Sequence, residues 1–306
     1  MNGLNASLLS TFVCVVEQKK VLTASKVLNL TQPAVTTQIR QLESHLGVVL
    51  FTRSVKGMVV TSAGETLYSY AKDILLLVDE AVTEVSKGSK LKGTLSIIAS
   101  STIGSYVLPS ILHQFSLEYP DLKITLELGN TQDVIGSILK GKHFMGFIEG
   151  VSNHPPLTFK PFLEDELIMV SSPLFRKKVK TIKDLEKLPI ISREYGSGTR
   201  AIIEQRLKDL GLSIKKMKSQ FEFGGTEAIK SAVMDNLGVS ILSKFAVRSE
   251  LQSGRLVALP FKGLILSRDF QWVMNSKDLT GINKLFFEFT TKFVKTEDRY
   301  VSFYSI

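Results

Sequence analysis

The chain of 306 residues has a single cysteine, Cys14. One thiol excludes an intramolecular disulfide. It lies in the apolar run 12–16, so an inert buried thiol and a reducing, cytoplasmic compartment are expected. Histidine is nearly as scarce. His45, His113, His143 and His154 are scattered and have no metal-ligand spacing with Cys or acids. A Walker-type phosphate loop, a dinucleotide fingerprint after a strand and a Gly-x-Ser-x-Gly elbow are all missing, and Gly196-Ser197-Gly198 satisfies none of them. These absences argue against an enzyme and leave no catalytic residue, metal or cofactor to assign. The N-terminus lacks a charged segment followed by an apolar one and a small-residue cleavage site. Residues 93–117 carry no Asp, Glu, Lys or Arg, which is long enough for a bilayer. They hold many Ser and Thr, a His, a Gln and Pro109, so a strand, a polar turn and a helix fit better than a membrane span. There is no tandem repeat or low-complexity tract.

What is present is positive charge. The formal net charge is +9 and the pI about 9.4. This suits a polyanionic partner, although a Lys-rich composition alone also explains it. Over residues 1–60, Lys19, Lys20, Lys26, Arg40, Arg53 and Lys56 oppose only Glu17 and Glu43. Residues 23–45 read as a helix-turn-helix. Ala24-Ser25 gives the small surface where two helices cross, and Leu28 faces the core. Thr31 suits an N-cap, and Pro33 is tolerated in the first turn, where its missing N–H would be unpaired anyway. Val35, Ile39 and Leu42 form an apolar stripe at i, i+4, i+7. The opposite face presents Gln32, Thr36, Thr37, Gln38, Arg40 and Gln41, amides, hydroxyls and a guanidinium suited to base edges and phosphates.

A helix over 62–87 follows. Leu67, Ala71, Ile74, Val78, Ala81 and Val85 repeat at 4-3-4-3-4, the seam of a pairing helix, with packing on its own domain as the alternative. Residues 86–90 read as a hinge. From Gly93, strands and helices alternate, implying right-handed βαβ units and a doubly wound sheet. Expected strands are 94–99, 122–128, 144–148, 167–171, 189–192, 239–242, 256–260 and 270–274. Expected helices are 103–117, with a kink at Pro109, then 133–140, 199–210, 226–236, 245–252 and 281–295.

The N-terminal pattern resembles the LysR-type transcriptional regulators. The resemblance rests on residues 31–36, Gln38-Ile39, Leu42-Glu43, Leu46-Gly47, residues 50–53 and Val60-Thr61-Ser62-Ala63-Gly64. It is most specific over 12–64 and extends in layout over the whole chain. It implies a winged helix-turn-helix with its wing at 51–61, so that Arg53 and Lys56 approach the phosphate backbone. DNA contacts then fall to Thr31, Gln32, Pro33, Ala34, Thr36, Thr37, Gln38, Arg40, Arg53 and Lys56. Many relatives have Arg where Thr37 stands, which alters one base reader. The implied fold is an all-α winged helix-turn-helix with a linker helix, then an α/β two-lobed domain like the periplasmic solute-binding proteins. Boundaries are expected at 1–61, 62–90 and 91–306, with one lobe at 91–162 and 267–306 and the other at 163–266.

Three hydroxyl-rich turns stand at expected strand ends: Ser100-Ser101-Thr102, Ser197-Gly198-Thr199-Arg200 with Arg193 upstream, and Thr226 after two glycines. Strand ends in open α/β sheets are where ligands bind, and a small anion suits such donors. The plainer reading is that each hydroxyl only caps its helix. Glu149 is awkward beside an anion, and pairing with Arg193 or Arg200 would accommodate it. Residues 193–200, with Gly129-Asn130-Thr131 and residues 147–150, look like the LysR subgroup of sulfur assimilation and sulfite or sulfate sensing, and also like regulators of carbon-fixation operons. The expected partners are double-stranded operator DNA, a sulfite- or sulfate-like effector, RNA polymerase and further copies of the chain, a homodimer assembling to a homotetramer, with no membrane. The alternative is a two-lobed ligand-binding protein or transferase without DNA function.

Overall fold

The computed structural model describes residues 4–54, 57–85, 91–150, 152–175, 182–212, 218–259, 266–275, 279 and 281–296. Lys56 and the expected hinge 86–90 lie outside the described residues, and Arg53 is described only as a strand position. The chain divides into two compact units, residues 1–91 with 280–282, and residues 92–279 with 283–306.

The first unit opens with α1 (Ala6–Gln18), whose N-cap Asn5 accepts a hydrogen bond from the Leu8 amide. Helices α2 (Val21–Val27) and α3 (Gln32–Leu46) follow, then the hairpin β1 (Phe51–Ser54) and β2 (Gly57–Val60), then α4 (Ser62–Val85). The apolar stripes meet in one core containing Leu9, Phe12, Val15, Ala24, Val35, Ile39, Leu42 and Leu50. Each large aliphatic or aromatic side chain buried this way contributes about 1.5–3 kcal/mol relative to exposure. Cys14 is in this core, where burial first and the Glu17 charge second push its thiol pKa up.

Helix α4 corrects the expected seam. Ala71 is fully buried in this core and Leu67 packs against it, so both serve the helix's own unit. Ile74, Val78, Ala81 and Val85 are exposed, as are Leu77 and Val82.

The second unit contains β3 (Gly93–Ser100), α5 (Ser101–Tyr106), α6 (Leu108–Glu118), β4 (Leu122–Gly129), α7 (Thr131–Leu139), β5 (Met145–Glu149) and β6 (Leu157–Ser171). After a 3-10 helix, Ile182–Lys187, come β7 (Pro189–Arg193), α8 (Gly198–Asp209), β8 (Lys218–Phe223), α9 (Thr226–Met234), β9 (Ser240–Ser243), α10 (Lys244–Gln252), β10 (Val257–Ala258), β11 (Leu266–Asn275) and α11 (Gly281–Thr296). The large sheet has the order β10-β6-β11-β5-β3-β4, with β9 also on β6. Strands β4, β3 and β5 are parallel, whereas β11 is antiparallel to both β5 and β6. The sheet is therefore mixed rather than wholly parallel. Strands β7 and β8 form a separate parallel pair.

Several elements differ from expectation. The helix at 103–117 is two helices separated at Val107, because Pro109 in the first turn of α6 has no amide to continue α5. Strands β6 and β11 begin before the apolar segments 167–171 and 270–274, since pairing with each other carries polar residues such as Glu164 and Asp269 into the ladder. Strand β8 lies in a segment without an assignment from sequence.

Candidate functional site

In the first unit the structure assembles one solvent-facing helix surface. Thr31 caps α3 by accepting from the Ala34 amide at 3.3 Å, and Pro33 occupies the first turn. The preceding turn closes through Asn29 at φ 53, a left-handed conformation that Asn tolerates, with the Leu30 amide bonded to the Ser25 carbonyl at 2.9 Å. Val35, Ile39 and Leu42 are buried. Gln32, Pro33, Thr36, Thr37 and Arg40 line one shallow concavity. Ala34 is half-buried beside them. Thr36 Oγ1 already donates to the Gln32 carbonyl at 2.9 Å. Gln38 is a correction. Its Oε1 accepts a hydrogen bond from the Thr11 hydroxyl of α1, and the side chain is half-buried, so it ties two helices together instead of standing on the open face.

The hairpin is fixed to α3 by one carboxylate. Glu43 Oε1 accepts from the amides of Leu50 at 2.8 Å and Phe51 at 3.3 Å. On the other strand the Met58 amide donates to the Lys19 carbonyl at 3.0 Å. Gly57 is required there, because φ is +120° and a Cβ would stand 2.6 Å from the Lys19 oxygen. The hairpin position Arg53 faces Met58 in the ladder.

In the second unit two of the three hydroxyl-rich turns meet at Glu149, the last residue of β5. Its Oε1 accepts from the Thr102 amide at 3.0 Å. Its Oε2 accepts from the Thr199 hydroxyl at 2.5 Å and from Arg268 Nη1 at 2.9 Å. Arg268 Nη1 also lies 2.8 Å from Thr199 Oγ1, and Arg268 Nε donates to Asp165 Oδ2 at 2.7 Å. Ser243 completes the cluster by donating to Asp165 Oδ1 at 2.7 Å. All these side chains are buried.

Burial works to raise the Glu149 pKa. Arg268 first, then Arg193, with the hydrogen bonds from Thr199 and Thr102, outweigh it and hold the value down to about 2. For Asp165 the balance goes the other way. Burial raises its pKa and the neighbouring Glu149 charge adds to that, against the lowering by Arg268 and Ser243.

The expected partners of Glu149 were Arg193 or Arg200, and Arg268 holds that place instead. Arg193 makes a two-point pair with Glu194 at 2.7 and 2.8 Å and donates to Thr226 Oγ1 at 3.3 Å. Arg200 pairs with Glu204 at 2.8 Å and Glu222 at 2.5 Å and donates to the Arg193 carbonyl at 3.1 Å. Both guanidiniums thus have carboxylate partners. Ser197 caps α8, accepting from the Arg200 amide at 3.5 Å. Gly198 admits no side chain, since a Cβ would lie 2.1 Å from the Glu149 carbonyl and 2.6 Å from Thr131 Oγ1.

The cluster borders a cleft of about 910 Å³ lined by Thr131, Gln132, Glu149, Gly198, Arg200 and Arg268, among others. A volume of that order suits a small ligand. The hydroxyls of Ser100, Ser101 and Thr131 and the Nη2 of Arg268 are buried and meet no hydrogen-bond partner among the described residues. Ser100 ends β3 opposite Gly129, two residues before Thr131, and Glu149 ends β5. These groups therefore gather at the C-terminal edge of the three parallel strands. Sequence reasoning missed Arg268, Asp165, Ser243 and the role of Thr131. Gly129-Asn130-Thr131 had drawn attention only as a likeness.

Comparison with known proteins bears on both units. Residues 6–65 match the family model described as bacterial regulatory helix-turn-helix protein, lysR family, and residues 88–293 match the LysR substrate binding domain. The uncharacterized HTH-type transcriptional regulator YeiE of Escherichia coli (strain K12) is 39% identical over 262 residues, covering 84% of this chain and 87% of that protein. The HTH-type transcriptional regulator CysL of Bacillus subtilis (strain 168) is 34% identical over 269 residues, covering 87% and 89%. Among solved structures, a full-length OxyR variant from Pseudomonas aeruginosa superposes with a TM-score of 0.74 at 18% identity, covering 97% of this chain and 96% of that one.

Proposed function

Because the chain belongs to the LysR family of DNA-binding transcriptional regulators with an effector-binding domain, and not to a family of enzymes, we propose that its α3 face reads an operator half-site and that a small oxyanion at the C-terminal edge of β3, β4 and β5 controls it. The observation that carries the effector reading is the set of buried donors without a partner among the described residues: the Ser100, Ser101 and Thr131 hydroxyls and Arg268 Nη2. Buried polar groups in folded proteins are satisfied, so a set of this kind, of which Thr131 and Arg268 line the cleft, fits a hydrogen-bonding ligand. Sulfite or sulfate is the effector proposed, supported by the likeness of residues 193–200 to the sulfur-linked subgroup.

In this reading residues 1–61 bind DNA, residues 62–90 pair two chains, and residues 91–306 sense the effector between lobes 91–162 with 267–306 and 163–266. Gln32, Thr36, Thr37 and Arg40 meet the major groove, and Arg53 and Lys56 the phosphates. Two paired linker helices place two α3 helices on one palindromic site, and two such dimers form a tetramer that bends the DNA. The effector favours one arrangement of the domains through differential affinity, and so changes contact with RNA polymerase in the cytoplasm.

The test has two arms. Fluorescence anisotropy with DNA from upstream of the protein's own gene is expected to show binding that weakens steeply with salt. Salt-insensitive or absent binding would favour the two-lobed ligand-binding protein without DNA function. Calorimetric titration of the full chain with sulfite, sulfate, thiosulfate and phosphate is expected to give heat with a sulfur oxyanion, and no heat with any of the four removes the anion reading.

A further inference from the structure

Glu149 holds donors that an anion would otherwise take. Three donors converge on its carboxylate: the Thr102 main-chain N–H, the Thr199 hydroxyl and the Arg268 guanidinium. They come from three separate chain segments, α5, α8 and β11, and all three side chains are buried. A free carboxylate or sulfate would be recognised by the same chemistry of one amide, one hydroxyl and one guanidinium. Ser100 and Ser101 precede Thr102 at the end of β3 and the start of α5, and their hydroxyls, with Arg268 Nη2, have no hydrogen-bond partner among the described residues. Arg268 therefore has one nitrogen on Glu149 and another without a hydrogen-bond partner among the described residues.

We propose that Glu149 is a specificity-determining residue, a tethered carboxylate that fills one half of the effector site and leaves only the other half to the ligand. This rests on the effector site lying where it is proposed above. The consequence is selection by charge and size. A bulky organic diacid that needs both sets of donors is refused, because its second carboxylate would meet the fixed charge of Glu149. A compact oxyanion that uses only the serine hydroxyls and the second arginine nitrogen is accepted. The residue also links α5 to α8 before any ligand arrives, so the effector adds to an arrangement that the chain already supports.

Replacing the side chain by a diffusible carboxylate tests this without DNA or the natural effector. Glu149→Ala removes a group the size of acetate. In the full chain, 50 mM sodium acetate, compared with equal sodium chloride, is expected to raise the Tm of Glu149→Ala by about 3 °C and to leave the wild type unmoved. Equal shifts in both proteins, or no shift in the variant, overturn the assignment. If Glu149→Ala does not fold, Glu149→Gln decides. It keeps the shape and removes the charge, and calorimetry is expected to show sulfate bound at least about tenfold more tightly than by the wild type. Unchanged or weaker sulfate binding overturns the assignment. A wild type that ignores sulfur oxyanions while acetate rescues Glu149→Ala would refute the effector named above and leave the role of Glu149 standing.

Discussion

Arg268 stands directly across from Asp165 where β11 pairs with β6, and two residues along the strand Phe270 faces Glu149 on β5. Directly paired residues share a face of the sheet, so the ladder itself delivers one guanidinium between two carboxylates. The two acids respond in opposite senses, Glu149 held down and Asp165 pushed up. A group whose folded pKa is lowered contributes stability above its unfolded value and loses it as pH falls through the folded one. For Glu149 that loss begins near the ordinary Glu value of 4.5 and runs down to about pH 2. Asp165 has a raised folded pKa, so its contribution is full below the ordinary Asp range and fades as pH rises through the folded value. Urea denaturation at pH 7 is expected to show Glu149→Gln destabilised by about 3 kcal/mol and Asp165→Asn by clearly less. The wild type should gain on Asp165→Asn as pH falls toward the usual Asp value of 3.8. A gap that narrows on acidification would contradict the raised Asp165 pKa.

Thr199 bridges the same charges, its hydroxyl meeting both Glu149 and Arg268. Thr199→Val keeps the volume and loses the bridge. Sulfite or sulfate is expected to bind at least about fivefold more weakly, because the bridge that holds Arg268 in place beside Glu149 is lost, with DNA affinity in the absence of effector unchanged. Calorimetry and anisotropy on the same preparation check both halves.

Glu43 caps two amides at the start of the hairpin, and its removal leaves both without that acceptor. Glu43→Ala is expected to cost about 1.5–3 kcal/mol and to speed exchange of the Leu50 and Phe51 amide protons in particular. Protection unchanged at those two positions would show that the hairpin holds without the carboxylate.

Salt dependence separates phosphate contacts from base contacts. Arg53→Ala is expected to weaken binding to all sequences and lower the slope of log K against log salt by about 0.9. Thr37→Ala should leave the slope alone and change preference among operator sequences. An unaltered slope in Arg53→Ala would place the hairpin off the backbone.

The exposed part of α4 predicts assembly. A charge at Val78, which is exposed beside Ile74 and Ala81, would be desolvated in a helix pair. Val78→Glu is expected to weaken dimerisation at least about tenfold, read by sedimentation equilibrium. Unaltered assembly would put the dimer contact on another face.

Local chemistry made the first unit legible. Thr31, Pro33 and the Val35, Ile39 and Leu42 stripe act within a few residues of one another, and the helix starts and faces as those residue types require. Gln38 was misplaced because its partner, Thr11, lies on another helix and no spacing rule announces it. The second unit shows the same limit more strongly. The serine and threonine turns were visible, but Arg268 is 119 residues from Glu149 and 103 from Asp165, and only strand register joins them. Strand β8 did leave a trace, since Phe221 and Phe223 alternate with Glu222 and their rings stack at 5.9 Å. The run was too short and too polar to stand out against its neighbours.

The order in which the chain leaves the ribosome gives the distance between Glu149 and Arg268 a meaning in time. The helix-turn-helix is contiguous and complete once α4 has been made, whereas the charge cluster of the second unit closes only when β11, the last strand among the described residues, arrives. A chain stopped between the two keeps its DNA-facing helix and has no arginine for Glu149 or Asp165. If the proposed effector site is right, truncation anywhere in that interval is expected to yield a deaf regulator rather than a weakly responsive one, and nonsense mutations there should behave alike wherever they fall.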